Sequence, residues 1–208
     1  MVGGVSPRYV CGMRNYASGK LLNDLEARLN DQLQRLNEWA GYPEQELVAR
    51  PAPGKWSVVE IVEHMSLSSE HYLKGLQRAY ADPRSRFVRA EQYKAGPLGE
   101  WSVRSMDPGV EGRIRMKMRT MDRFVPKADL DKPREVFQRF RGILNGFLAL
   151  LPQAREMGIQ GPRIVSTLGP VLKFRIGDAL RFPVAHQQRH MLQIARTLEQ
   201  LGGGGSPP

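Results

Sequence analysis

Between Lys20 and Ala40 the residues Leu21, Leu22, Leu25, Leu29, Leu33, Leu36 and Trp39 recur at steps of three and four. A 3.6-residue helical period gathers such positions on one side, and charged residues fill the other. Gly41, Tyr42 and Pro43 end this first helix. The pattern returns three more times. Ser57 and Glu60 have the spacing of a capping box, so a second helix opens there and runs to about Tyr80, before Asp82-Pro83. Its inward stripe holds Ile61, His64, Met65, Ser68, His71 and Tyr72. A third helix opens near Asp131 to Pro133, with proline suited to the first helical position. Val136, Phe137, Phe140, Ile143, Leu144, Phe147, Leu148 and Leu151 form its buried face, and Pro152 is expected to stop it. A fourth begins near Ile176 to Asp178 and runs to about Leu201, with a kink or a new start expected at Pro183. Four apolar stripes and no convincing sheet predict an all-α four-helix bundle, and the long connections between helices permit crossovers.

Those connections carry their own signals. Residues 83–130 lack a sustained helical period and contain eleven basic residues, which outnumber the acidic ones. A structureless loop of that length is uncommon in a compact domain. Short helical or extended pieces over the bundle mouth are expected instead, including a short strand at Ile114-Arg115-Met116-Lys117-Met118-Arg119. Residues 20–201 form one domain. Residues 1–19 read as a flexible N-terminal extension, and Gly202 to Pro208 as a flexible tail.

Composition narrows the function classes. Lys and Arg number 31 against 21 Asp and Glu, a net charge of +10 that favours acidic partners or a basic solvated surface. Cys11 is alone, which excludes an intrachain disulfide and points to a reducing, cytoplasmic setting. No run approaches the roughly 18–20 apolar residues of a membrane span, and the first twenty residues lack the apolar core of a secretion signal.

The chemistry-bearing feature is a histidine pair. His186 and His190 stand one helical turn apart, with β-carbons about 6 Å from one another. Both imidazoles can therefore reach one metal ion at about 2.0–2.1 Å each. The pair projects to the same side as Ile194 and Leu198, where an imidazole without a polar partner costs about 1–3 kcal/mol. His64 also projects inward, near the start of the second helix, and would complete a site with open positions. His71, seven residues on, is about 10.5 Å further along the axis and fits a core or rim role better. Arg189 and Gln193 flank the ligand face, either orienting ligands or touching substrate. Ser68 suits close packing rather than nucleophilic attack. Trp56 reads as a packing anchor before the helix.

Two segments carry a family resemblance. Lys55-Trp56-Ser57-Val58-Val59-Glu60-Ile61-Val62-Glu63-His64-Met65 is similar to the second-helix signature of the DinB-like superfamily. Leu180 to Ile194, with His186-Gln187-Gln188-Arg189-His190-Met191-Leu192-Gln193-Ile194, resembles its closing helix. The resemblance covers about residues 20 to 201. It implies a metal-binding four-helix bundle of the bacillithiol-transferase-like type, often a homodimer. One histidine of the second helix and two of the fourth would hold a divalent ion, nickel, zinc or iron. Those roles fall on His64, His186 and His190.

Three protein ligands with open positions describe a catalytic site, because structural zinc is closed by four. The leading expectation is an enzyme in which a low-molecular-weight thiol is bound at the ion and attacks an electrophile. Hydrolysis through metal-activated water comes second. The small-molecule substrate could carry carboxylates met by Arg113, Arg115, Lys117 and Arg119. A competing class is a nucleic-acid module, with Phe87, Tyr93 and Trp101 stacking on bases among the basic residues. A third is a structural bundle whose histidines bind nothing.

Overall fold

A computed structural model describes residues 14–109, 112–113, 119–127 and 131–202. Strand β1 (Asn15–Ala17) leads into helix α1 (Ser18–Trp39), followed by the short α2 (Glu44–Val48) and α3 (Val58–Ala81). Strand β2 (Gln92–Lys94) and α4 (Pro97–Met106) come next, then a 3-10 turn at Asp122–Phe124. Helix α5 (Pro133–Met157), a hairpin of β3 (Arg163–Ser166) and β4 (Gly169–Arg175), and α6 (Ile176–Gln200) complete the chain.

The four long helices are α1, α3, α5 and α6, and their leucine, isoleucine and phenylalanine stripes meet in one core. Leu36, Ile61, Phe140, Leu144 and Ile194 are wholly removed from solvent. Helices α1 and α3 each pack on both α5 and α6. Consecutive long helices α1 and α3 therefore lie diagonally across the bundle, which requires the crossover connections expected from their lengths. The capping box at the start of α3 is formed: Glu60 N–H donates to Ser57 Oγ at 3.3 Å, and Ser57 N–H donates to Glu60 Oε2 at 2.8 Å. Arg50 closes the other side of the Glu60 carboxylate.

Both helix-internal prolines depart from expectation. Helix α5 continues through Pro152 to Met157 and ends at Gly158, whose φ of 99° suits glycine. Helix α6 runs through Pro183 with no new start. A proline removes one backbone hydrogen bond and crowds the preceding turn. Here buried residues lie on both sides of each proline, Leu150, Leu151 and Ala154 in α5 and Leu180 to Ala185 in α6, so packing outweighs that local cost.

The connections also differ from a pure bundle. β1 pairs antiparallel with β2, placing Tyr16 opposite Tyr93. β3 and β4 form an antiparallel hairpin between α5 and α6. Within the basic segment, α4 buries Val103 and Met106 and packs on α6. Arg181 of α6, Glu100 of α4 and Tyr16 of β1 meet in one buried cluster. Arg181 donates to Glu100 Oε2 at 2.9 Å, to Asp178 Oδ1 at 3.3 Å and to the Tyr16 hydroxyl at 2.8 Å. Tyr93 is fully buried and Phe87 stacks on Tyr80 at 4.5 Å, which leaves Trp101, 51% exposed, as the open member of the proposed base-stacking trio. Among the described residues no helix is long and apolar enough to cross a membrane. Cys11, Arg115, Lys117 and the strand expected at 114–119, except Arg119, lie outside the described residues.

Candidate metal centre

The two helical faces that carry the histidines are neighbours, because α3 packs directly on α6. His64 stands two turns into α3, and His186 and His190 lie in the middle of α6. Their ring centroids are 5.2 Å (His64 to His186), 4.6 Å (His64 to His190) and 4.5 Å (His186 to His190) apart. One ring nitrogen from each residue falls within 4.8 Å of the other two. His64 and His190 are buried and His186 is partly so.

Hydrogen bonds at the outer nitrogens orient the rings. His64 Nδ1 lies 2.8 Å from the carbonyl oxygen of Phe124, which can only accept, so Nδ1 carries the proton and Nε2 keeps its lone pair. His190 Nδ1 is 2.8 Å from Gln193 Oε1 and donates in the same way. Ser68 Oγ donates inside its own helix, to the carbonyl of His64 at 3.0 Å, and stands 3.4 Å from His186 Nδ1. That use of the hydroxyl agrees with a packing and orienting role for Ser68. The Nε2 atoms of His186 and His190 are 3.2 Å apart. Cis ligands at about 2.0–2.1 Å from a shared ion are separated by about 2.9–3.4 Å, so the pair fits one divalent ion.

Electrostatics point the same way. Burial pushes the pKa of His64 down, opposed in part by the Phe124 carbonyl. Burial holds His186 well below its usual value, helped by His190, His64 and Arg189. His190 is pushed down to about 3 by burial, with His64 and Arg189 adding to it. Three neutral imidazoles with free lone pairs are the donor set that zinc, nickel and iron accept.

The trio forms the floor of a cavity of about 100 Å³. Met106, Met121, Leu168 and Phe182 supply apolar wall, and Ser68, Thr120 and Thr167 supply hydroxyls. Arg119 and Arg189 are its guanidinium residues, and no carboxylate lines it among the described residues. Trp56 packs against His64 with ring centroids 5.0 Å apart, outside the cavity lining.

The structure thus brings together the three histidines that the sequence singled out. His71 is not with them: it is exposed, and its Nε2 donates to the carbonyl of Val165 at 2.8 Å. The helical wheel places His71 near the His64 face, but its ring turns to the β3–β4 hairpin, where the Val165 carbonyl accepts its hydrogen bond. Phe124 and Thr167 went unrecognised. Phe124 acts through a backbone carbonyl, which leaves no side-chain signal, and Thr167 arrives on a hairpin turn that no helical period reveals.

Comparison with known proteins supports this architecture. Residues 25–194 match the family model described as the DinB superfamily. No curated protein matches the chain. Among solved structures, YfiT from Bacillus subtilis is similar, with a TM-score of 0.52 and 14% sequence identity over 97% of this chain and 95% of that one. YfiT is described as a probable metal-dependent hydrolase with an unusual four-helix bundle topology. With a family model spanning most of its length and both helical signatures folded onto one cavity, the chain belongs to the DinB superfamily.

Proposed function

We propose that the protein is a metal-dependent hydrolase, with a divalent ion, zinc, nickel or iron, held by His64, His186 and His190. The observation that carries this reading is the outward engagement of Nδ1 on His64 and His190, with one ring nitrogen of each of the three histidines within 4.8 Å of the others. When bound, such an ion supplies a Lewis acid that polarises substrate and activates water. The chain's own residues hold and orient the ligands. The Phe124 carbonyl and Gln193 amide fix two imidazoles in the tautomer a metal needs. Met106, Met121, Leu168 and Phe182 exclude bulk water from the cavity and strengthen its electrostatics.

Thiol transfer, first among the expectations from sequence, draws on the family resemblance alone. Hydrolysis moves ahead of it because a protein with the same fold over nearly its whole length is described in those terms. Elemental analysis of the purified protein should find about one divalent ion per chain, and His186→Ala should lose it. Chelator-sensitive hydrolysis across a panel of esters and amides should follow the metal content. Metal retained in His186→Ala, or hydrolysis indifferent to chelation, would overturn the assignment.

A further inference from the structure

One guanidinium nitrogen of Arg189, beside the histidine trio, lacks an acceptor among the described residues. That nitrogen, Nη1, is sealed from solvent. Arg189 lines the same cavity as His64, His186 and His190. A guanidinium nitrogen out of water and without an acceptor is costly, and natural structures keep such groups paired. No Asp or Glu among the described residues lines the cavity to supply the acceptor. Other arginines contrast with it: Arg139 is paired with Glu63 and Glu70, Arg155 with Glu26, and Arg181 with Glu100 and Asp178.

We infer that Arg189 is the anchor for a carboxylate on the substrate, so that the cavity selects small carboxylate-bearing molecules. The inference rests on the proposed metal site for the word substrate, but the anchoring contact itself does not require the ion. A planar fork of N–H donors matches a carboxylate in bidentate fashion. A carboxylate held by Arg189 would keep the rest of a short substrate over the trio, between Leu168 and Phe182.

The test is calorimetric titration of the full-length protein with butyrate, using butyramide as an uncharged match and inorganic phosphate as a second anion. Wild-type protein should bind butyrate in preference to both. Arg189→Gln should weaken butyrate binding at least about tenfold while its metal content stays at the wild-type level. Equal butyrate affinity in wild type and Arg189→Gln, no butyrate binding at all, or butyramide or phosphate binding as tightly as butyrate would each overturn the inference. Should Arg189→Gln fail to fold, Arg189→Lys decides: it keeps the charge but loses the fork, so it should bind butyrate several-fold more weakly, and unchanged affinity is refuting. His186→Ala separates the two readings. Retained metal there defeats the metal site whatever butyrate does. Lost metal with butyrate binding that still depends on Arg189 leaves the anchor standing.

Discussion

His186 Nε2 and His190 Nε2 face each other at 3.2 Å, one helical turn apart on α6. With His190 Nδ1 donating to Gln193, His190 Nε2 keeps its lone pair turned toward His186 Nε2. A cation held by both rings would also tie α6 to His64 on α3. Divalent metal should therefore raise the melting temperature, since a ligand at a hundred times its Kd contributes about 2.7 kcal/mol to stability. Thermal denaturation with added zinc or nickel, and again with chelator, measures this; a melting temperature indifferent to both counts against the site.

Gln193 offers a test of ligand orientation that leaves the ligands in place. In Gln193→Leu the His190 ring loses its acceptor, and metal affinity should drop about 10–100-fold. Competition against a chromophoric chelator reads the change. Undiminished affinity would mean that the 2.8 Å contact to His190 does not orient the ring.

The buried imidazoles also set a pH dependence. Their folded-state pKa values lie below the ordinary 6.5, with His190 at about 3, so on acidification the unfolded chain takes up protons first. Stability of the metal-free protein should be full above about pH 6.5 and decline as pH falls through the window toward 3. Urea midpoints between pH 7.5 and 5 in chelator, where few carboxylates titrate, isolate this contribution. His190→Gln should flatten the slope, and an already flat wild-type profile would contradict the assignment of neutral, desolvated rings.

Arg181 tests the join between the N-terminal strand, α4 and α6. Its guanidinium is buried against Glu100 and Asp178 and lies over the Tyr16 ring at 4.3 Å. Arg181→Met would strand two buried carboxylates and should cost about 3–5 kcal/mol. Chemical denaturation measures it; a loss below about 1 kcal/mol would show that these carboxylates find water or protons cheaply.

Gly177 marks a close approach that no helical propensity predicts. A β-carbon there would run into the ring of Tyr93, which is itself fully buried. Gly177→Ala should therefore destabilise by about 1–3 kcal/mol despite alanine's better helix propensity. Increased stability in the same denaturation assay would mean that Tyr93 yields freely.

What sequence alone determined here is local. Period and caps placed α1, α3, α5 and α6, because helix amphipathicity is a property of residues three and four apart. The same periodicity put His64, His186 and His190 on buried faces. Tertiary structure decided the rest. It carried α5 through Pro152 and α6 through Pro183, since burial on both sides of each proline outweighs one lost backbone bond. It set α1 diagonal to α3, a choice invisible to any single helix. It turned His71 out to the hairpin although its position on the wheel differs little from that of His64. And it brought the Phe124 carbonyl and Arg189 to the histidines, because contacts between distant segments depend on how whole faces pack, which no local pattern encodes.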